Sequence, residues 1–157
     1  MRKGGKMLKL GIDIGGVLSK YPNQFKQLIR CLKMGNLENL RFSKDALVQI
    51  HIISDIKPHS KAVKFVHDNG FNIPYSRIHI TDYEQYGENC KAVLCKELGI
   101  DILIDDHMGY LSEPNCPPIR LLMMPDQYKP YYSDGWKTDG SEGDFGRNKY
   151  SEEIHNE

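Results

Sequence analysis

The sequence has few cysteines, and their spacing indicates neither a zinc site nor a disulfide framework. Its four cysteines are spread over 157 residues with no CxxC pair. Most lie in apolar or helical surroundings, where buried free thiols are common. We therefore expect free thiols and a cytoplasmic, reducing compartment.

The sequence also lacks an excess of charge of either sign and any long hydrophobic run. Lys and Arg together number 21, and Asp and Glu together also number 21. No overall basic field therefore indicates nucleic-acid binding, although a local basic patch is not excluded. The longest apolar runs are too short to span a bilayer, so no membrane partner is expected. The N-terminus is basic, but the apolar stretch after it is strand-length and contains Lys9, so no signal peptide is predicted.

Strand-like apolar runs alternate with helical patterns along most of the chain. Strands are predicted at residues 8–14, 46–53, 77–81, 100–104 and 119–124. This alternation predicts an α/β fold with three α/β/α layers, Rossmann-like, around a parallel sheet of about five strands. We expect one domain over residues 1–125. Residues 126–157 are predicted to form an irregular aromatic and polar tail, partly packed on the domain, with residues 151–157 frayed.

Helix boundaries are predicted from proline, glycine and asparagine. Pro22 suits the first turn of a helix that ends at Gly35, and Pro58 opens a second helix that ends near Gly70. Asn89 is expected to cap a third helix. The segment before Asn89, residues 82–89, is predicted to be a short linker.

Acidic side chains follow two of the predicted strands at the points where they end. Asp13 ends the first strand, and Asp105 and Asp106 follow the fourth. Buried unpaired carboxylates are costly, so acids at one sheet edge favour a hard cation with oxygen ligands, most simply Mg²⁺. Ser54 ends the second strand and is expected at the same edge, where ligands of parallel sheets bind.

This pattern resembles the haloacid-dehalogenase (HAD) superfamily of phosphotransferases. The resemblance covers residues 8–124 and rests on four short motifs in order: residues 13–18, Ser54, Lys91, and the pair Asp105 and Asp106. It implies a HAD-like fold and a phosphatase acting on a phosphorylated substrate. It also implies an aspartyl-phosphate formed on Asp13.

The resemblance assigns a role to each motif. Mg²⁺ would be held by Asp13, by the Gly15 carbonyl and by Asp105 or Asp106, with the choice between these two left open. Ser54 would hold a phosphoryl oxygen. Lys91 would hold the phosphate and the nucleophile, and it is favoured over the competing Lys96 on the same helix because it lies at the predicted helix start. The Gly15–Gly16 turn would bring backbone N–H groups close to the anion.

One position departs from the family pattern. The family's phosphatases usually carry a second aspartate, a general acid and base, where this chain has Gly15. General acid–base help is worth about 10²–10⁴-fold. Three outcomes stay open: a slow phosphatase that needs a good leaving group, replacement of the acid by His107 or Asp106, or a phosphate- or metal-binding or regulatory protein without turnover.

The chain has little room for a cap domain. Such capless members leave their site open and often act on large substrates, so the phosphorylated substrate is expected to be macromolecular unless the aromatic tail folds over the opening. A receiver-like domain is the distant alternative, but receivers carry adjacent acids after the first strand, where this chain has only Asp13. The oligomeric state stays open.

Overall fold

Five parallel strands form the central sheet. The computed structural model describes residues 6–42, 48–111, 116–123, 128–131 and 135–138, without side chains at 37–42, 128–131 and 135–138. The sheet order is β3-β2-β1-β4-β5, and each neighbouring pair is parallel. The strands are β1 Leu8–Ile12, β2 Val48–Ser54, β3 Ile78–Ile80, β4 Ile102–Asp105 and β5 Ile119–Leu122. The predicted fold class is confirmed.

The described strands match the predicted ones apart from their ends. A 3₁₀ turn at Tyr75–Arg77 precedes β3, and β1 ends before Asp13. The predicted positions 46, 47 and 124 lie outside the described residues. The helices are α1 Pro22–Phe42, α2 His59–Asp68, α3 Tyr83–Tyr86 and α4 Cys90–Leu98.

Helices cover both faces of the sheet and produce the three layers. On one face, Phe25 and Ile29 of α1 and Val66 of α2 pack in a core with Ile12 and Ile52. On the other face, Cys95 of α4 packs with Ile53, Leu103, Ile100 and Leu111. At Gly11 a Cβ atom would lie 3.0 Å from Ile53 and 3.3 Å from Leu103, so the glycine allows close packing on the α4 side.

The predicted helix end at Gly35 is wrong, because α1 continues through it to Phe42. A glycine inside a helix costs about 1 kcal/mol relative to alanine, which tertiary contacts can offset. Asn36 supplies such a contact. Its side chain donates to the Val48 carbonyl at 2.6 Å and accepts from the Val48 N–H at 2.9 Å, which ties α1 to the start of β2.

The segment before α4 is helical rather than a plain linker. Asp82 accepts a hydrogen bond from the Gln85 N–H at 3.1 Å and caps α3, and the 3₁₀ turn Gly87–Asn89 runs directly into α4. Asn89 therefore occupies the N-cap position with helical dihedrals, and its side chain makes no capping hydrogen bond. Gly99 follows α4 in the left-handed conformation expected of a helix end.

The tail contains regular structure that its sequence did not predict. Strands β6 Tyr128–Tyr131 and β7 Gly135–Thr138 form an antiparallel hairpin. Strands of four residues are too short to give a sustained period, so the irregular assignment is wrong there. The expectations for residues 139–157, including the frayed end, lie outside the described residues.

No helix within the described ranges is both long enough and apolar enough to cross a membrane. The cysteines Cys31, Cys90, Cys95 and Cys116 are free thiols, as predicted.

A histidine pair, with His51 buried and His79 half-buried, makes the stability of the fold depend on pH. His51 Nδ1 lies 3.0 Å from His79 Nε2, and His51 Nε2 lies 2.9 Å from Gln49 Oε1. Burial lowers the pKa of His51, the positive charges of His79, Lys9 and Arg77 add to this effect, and together they bring the pKa to about 4. In the unfolded chain its pKa returns to about 6.5.

We expect the free energy of unfolding to fall by about 1–2 kcal/mol between pH 7 and pH 5 because of His51. Below pH 6.5 the unfolded chain binds a proton that the folded protein refuses until about pH 4, so stability decreases as the pH falls through this window. Urea unfolding at the two pH values measures the change. His51→Gln should reduce it, whereas His67→Gln on the exposed part of α2 should not. An identical pH dependence in wild type and His51→Gln would show that His51 does not cause the loss of stability.

Candidate metal and phosphoryl site

The site lies where the strand order changes direction. From β1 the chain proceeds to β2 and β3 on one side and to β4 and β5 on the other, so the switch point lies between β1 and β4. Ligands of parallel sheets bind at the carboxyl ends of strands at such a point. Asp13 follows β1 directly, and its backbone N–H donates to the Ile104 carbonyl of β4 at 3.0 Å. The pairing of these two strands therefore fixes Asp13 beside Asp105.

A tight glycine turn follows Asp13. Gly15 has φ −64° and ψ 130°, and Gly16 has φ 66° and ψ −14°, which are the dihedrals of a type II turn. Gly16 occupies the position where positive φ requires glycine. Its N–H donates to Ser19 Oγ at 3.1 Å, so this N–H is already engaged within the protein.

The turn also leaves room for a carboxylate. A Cβ atom on Gly16 would lie 1.8 Å from Asp106 Oδ2, so the Asp106 side chain occupies the space that the glycine leaves. A Cβ atom on Gly15 would meet only Asp13 Oδ2, at an ordinary 3.6 Å. The two adjacent glycines therefore have different structural roles.

Three buried carboxylates converge at this edge. One oxygen from each of Asp13, Asp105 and Asp106 lies within 4.8 Å of the others, and the three residues are 3 %, 0 % and 3 % exposed. Asp105 Oδ1 accepts a hydrogen bond from the His107 N–H at 2.9 Å. Asp13 Oδ1 is buried and accepts no hydrogen bond from the part of the chain that the structure describes.

Lys91 lies between two of these acids. Its Nζ donates to Asp105 Oδ2 at 2.6 Å and forms an ion pair with Asp13 Oδ1 at 3.0 Å, and its side chain is fully buried. Lys91 is the second residue of α4, as expected from its position at a helix start. Lys96 is exposed in the last turn of the same helix, so the lysine at the acids is Lys91.

Burial and neighbouring charges shift the pKa values of Asp13, Asp105 and Lys91. Burial raises the pKa of Asp13 well above its ordinary value; Lys91 opposes this rise, and Asp105 and Asp106 add to it. Burial also raises the pKa of Asp105, again against Lys91. Burial alone would lower the pKa of Lys91, but Asp105 and Asp13 overcome that effect and hold it well above its ordinary value. Lys91 therefore does not fully offset the effects of burial and of neighbouring carboxylates on Asp13 and Asp105.

Ser54 lies at the same edge of the sheet, at the end of β2 next to β1. Its side chain is fully buried, and its Oγ accepts a hydrogen bond from the Ile56 N–H at 3.3 Å. Its carbonyl accepts from the Thr81 N–H at 2.8 Å, which extends the pairing of β2 with β3.

Two residues of the site were not predicted from the sequence. Asp55, directly after Ser54, accepts a hydrogen bond at 2.8 Å from the buried Tyr110 hydroxyl. The Tyr110 ring centre lies 4.1 Å from Lys91 Nζ. Asp55 could have been found by the rule that selected Asp13, because it too follows a buried strand. Tyr110 lies in the 3₁₀ turn Met108–Leu111 and carries no local signal.

His107, one of the two residues proposed to replace the missing acid, is held in the turn after β4. It is 2 % exposed, and its Nδ1 accepts a hydrogen bond from the Gly109 N–H at 3.0 Å. In the neutral ring the proton therefore lies on Nε2. The ring centre lies 4.9 Å from that of Tyr110, so His107 packs against the residue that faces Lys91.

The donor set fits a divalent cation. Asp13, Asp105 and Asp106 carry three negative charges when ionised, against one on Lys91, which leaves two uncompensated among these four side chains. Carboxylate and carbonyl oxygens are the ligands that Mg²⁺ prefers. Asp13 Oδ1 accepts no hydrogen bond from the described residues, although Lys91 Nζ lies 3.0 Å away, and it is an atom that such an ion would satisfy.

Comparisons with known proteins do not assign this chain to a family. A scan against protein-family models found no match, and searches of curated proteins and of solved structures found no significant match either. The fold and the geometry of the site are therefore the basis for any functional assignment.

Proposed function

We propose that the protein is a Mg²⁺-dependent phosphomonoester hydrolase of HAD type that acts through an aspartyl-phosphate on Asp13. The observation that carries the proposal is the buried Lys91 ammonium, 3.0 Å from Asp13 and 2.6 Å from Asp105 at the switch point of a parallel sheet. A buried carboxylate whose position is fixed by a lysine is suited to nucleophilic attack on phosphorus.

Asp13, Lys91 and Ser54 have different roles in the first step. An Asp13 oxygen attacks phosphorus, and the bond from phosphorus to the leaving oxygen breaks with its electron pair on that oxygen. Lys91 holds Asp13 in place and offsets the negative charge of the phosphoryl group. Ser54 is proposed to donate its hydroxyl hydrogen to a phosphoryl oxygen. Water then attacks the phosphorus of the aspartyl-phosphate and releases phosphate and the Asp13 carboxylate.

Asp13, the Gly15 carbonyl and Asp106 are the proposed Mg²⁺ ligands. When bound, the ion would neutralise charge on the phosphoryl oxygens. Asp105 is the weaker candidate ligand, because its Oδ2 accepts from Lys91 and its Oδ1 accepts from the His107 N–H. We assign Asp105 to holding Lys91 instead.

Gly15 determines which substrates react. It carries no group that can protonate the leaving oxygen, so turnover is expected to be slow for alkyl phosphates and faster for aryl phosphates, whose leaving group needs little protonation. His107 and Asp106 are the proposed alternatives for this proton transfer.

Asp13→Asn is expected to lower Mg²⁺-dependent release of phosphate from an aryl phosphate by at least about 10³-fold, because the amide cannot act as the nucleophile. A continuous assay of aryl phosphate hydrolysis measures the rate. Asp68→Asn, an exposed acid on α2, is the control and should retain the wild-type rate. Equal rates for wild type and Asp13→Asn would remove the proposed function.

Gly16→Ala is expected to weaken Mg²⁺ binding by about 10–100-fold. The new methyl group would lie 1.8 Å from Asp106 Oδ2 and would displace that carboxylate, at a position whose φ of 66° also strains any L-residue. Titration calorimetry with MgCl₂ measures the affinity. Gly15→Ala is the matched control, since its methyl group meets only Asp13 Oδ2 at 3.6 Å. Equal affinities in the two variants would exclude Asp106 from the metal site.

A protein that binds phosphate or metal without turnover is the second candidate, and Gly15 is the observation that favours it. The two candidates differ in one measurement. Robust Mg²⁺-dependent turnover of an aryl phosphate by the native protein would exclude the binding protein, whereas Mg²⁺ binding without turnover would support it.

The substrate class and the compartment are further parts of the proposal. The short segments between strands leave little chain for a cap, which supports a large phosphorylated substrate, with nucleic acid among the classes to test. The free cysteines Cys31, Cys90, Cys95 and Cys116 support a reducing, cytoplasmic compartment.

A further inference from the structure

The Lys91 ammonium is enclosed by three different partners. Two are the carboxylates of Asp105 and Asp13, at 2.6 Å and 3.0 Å from Nζ. The third is the face of the Tyr110 ring, whose centre lies 4.1 Å from Nζ. An aromatic face attracts a cation and, unlike a carboxylate, adds no formal charge.

Tyr110 is itself held in place from its other end. Its hydroxyl donates to Asp55 Oδ2 at 2.8 Å, and the residue is 3 % exposed. Burial and the adjacent Asp55 carboxylate raise the pKa of Tyr110 well above its ordinary value, so the hydroxyl stays protonated and remains a donor. Donation to a carboxylate leaves more electron density on the ring, which strengthens its attraction for the ammonium.

We propose that Tyr110 is a positioning residue whose ring holds the Lys91 ammonium between Asp13 and Asp105, and that Asp55 orients this ring. A lysine ammonium is a compact charge on a flexible four-carbon stem, with donors that rotate freely. Two carboxylates alone would let Nζ move along the line between them. A ring on the third side removes that freedom and excludes water from the ammonium.

The position of Lys91 is measurable without any enzymatic assay. Protons above an aromatic face resonate upfield, so the Lys91 ε-methylene signals of ¹³C-lysine-labelled protein should be shifted upfield in the wild type. We expect the shift to persist in Tyr110→Phe, to disappear in Tyr110→Leu and to decrease in Asp55→Ala. Lys91→Met assigns the signals. Wild-type ε-methylene signals at the ordinary lysine position would overturn the proposal.

The kinetic consequence of displacing Lys91 from the Tyr110 ring rests on the proposed function. For an aryl phosphate, Tyr110→Leu is expected to lower kcat by roughly 10–30-fold with KM changed less than about threefold, because a displaced Lys91 misaligns the nucleophile in the transition state. Tyr110→Phe keeps the ring and should restore most of kcat. Tyr75→Leu makes the same change at an exposed tyrosine and should have no effect.

The two proposals fail in different ways. Equal hydrolysis by wild type and Asp13→Asn removes the proposed function, while the upfield shift and its loss in Tyr110→Leu still test the role of Tyr110. A Tyr110→Leu protein that folds and keeps both the upfield shift and the wild-type kcat removes the positioning role, even if Asp13-dependent hydrolysis is present. If Tyr110→Leu does not fold, the wild-type and Asp55→Ala spectra decide the question, since an unchanged shift in Asp55→Ala contradicts the orienting role of Asp55.

Discussion

Gly15→Asp is expected to increase kcat for an alkyl phosphate by about 10²–10⁴-fold, the usual contribution of a positioned general acid. An aryl phosphate should gain far less, since its leaving group needs little protonation. The ratio of the two rates in the same preparation is the quantity to measure. It does not depend on the fraction of active protein.

The backbone at Gly15 accepts this substitution without strain. Its φ of −64° and ψ of 130° are ordinary for any L-residue, and a Cβ atom there would meet only Asp13 Oδ2 at 3.6 Å. The new carboxyl group would therefore begin beside the proposed nucleophile. The same substitution at Gly16 would fail, because a Cβ atom there overlaps Asp106.

Gly15→Asn is the control for the gain of activity. It has the size and shape of aspartate but cannot donate and accept a proton in the same way, so its alkyl-to-aryl ratio should stay near that of the wild type. An equal gain in Gly15→Asn would show that the added side chain acts by packing. No gain in Gly15→Asp would indicate that another residue, such as His107, already performs this proton transfer.

Lys91→Met is expected to lower the free energy of unfolding by about 3–5 kcal/mol in Mg²⁺-free buffer, the usual cost of breaking a buried ion pair. Methionine fills much of the same volume, but it leaves Asp13 and Asp105 buried without their positive partner. Stabilities of about 5–15 kcal/mol are typical of single domains, so the loss is a large part of the total. Urea unfolding followed by circular dichroism measures it.

Lys96→Met makes the same chemical change at an exposed position on the same helix, and we expect less than about 0.5 kcal/mol there. Mg²⁺ at saturating concentration should restore part of the stability of Lys91→Met, because the ion binds only the folded acids. A Lys91→Met protein as stable as the wild type would show that Lys91 does not compensate the buried charges of Asp13 and Asp105.

The strands and most helices were predictable because their signals are local. Continuous apolar runs such as residues 102–104 indicate strands buried on both faces, and the positions of Pro22 and Gly70 marked a helix start and a helix end. The end of α1 was not predictable, because the contact that extends it, between Asn36 and Val48, depends on the neighbouring strand. The hairpin of β6 and β7 was missed because four-residue strands are too short to give a period.

Within the site, the three acids and Lys91 were selected from the sequence, whereas Tyr110 was not. A carboxylate after a buried strand is visible in the sequence, so Asp13, Asp105 and Asp106 could be selected and expected at one sheet edge. The preference for Lys91 over Lys96 rested on its place at a helix start, and its burial between two acids is visible only in three dimensions. Tyr110 could not be found at all, since its contacts with Asp55 and Lys91 cross three separate elements.

The sequence by itself determined the class of fold and the edge of the sheet at which the acids gather, because hydrophobic periodicity and strand ends are properties of short segments. Only the tertiary structure decided which groups touch: Lys91 between Asp13 and Asp105, Asp106 against Gly16, and Tyr110 over the ammonium. The physical reason is that burial and electrostatic pairing depend on distances between segments far apart in the chain, and those distances are set only when the sheet and its helices pack together.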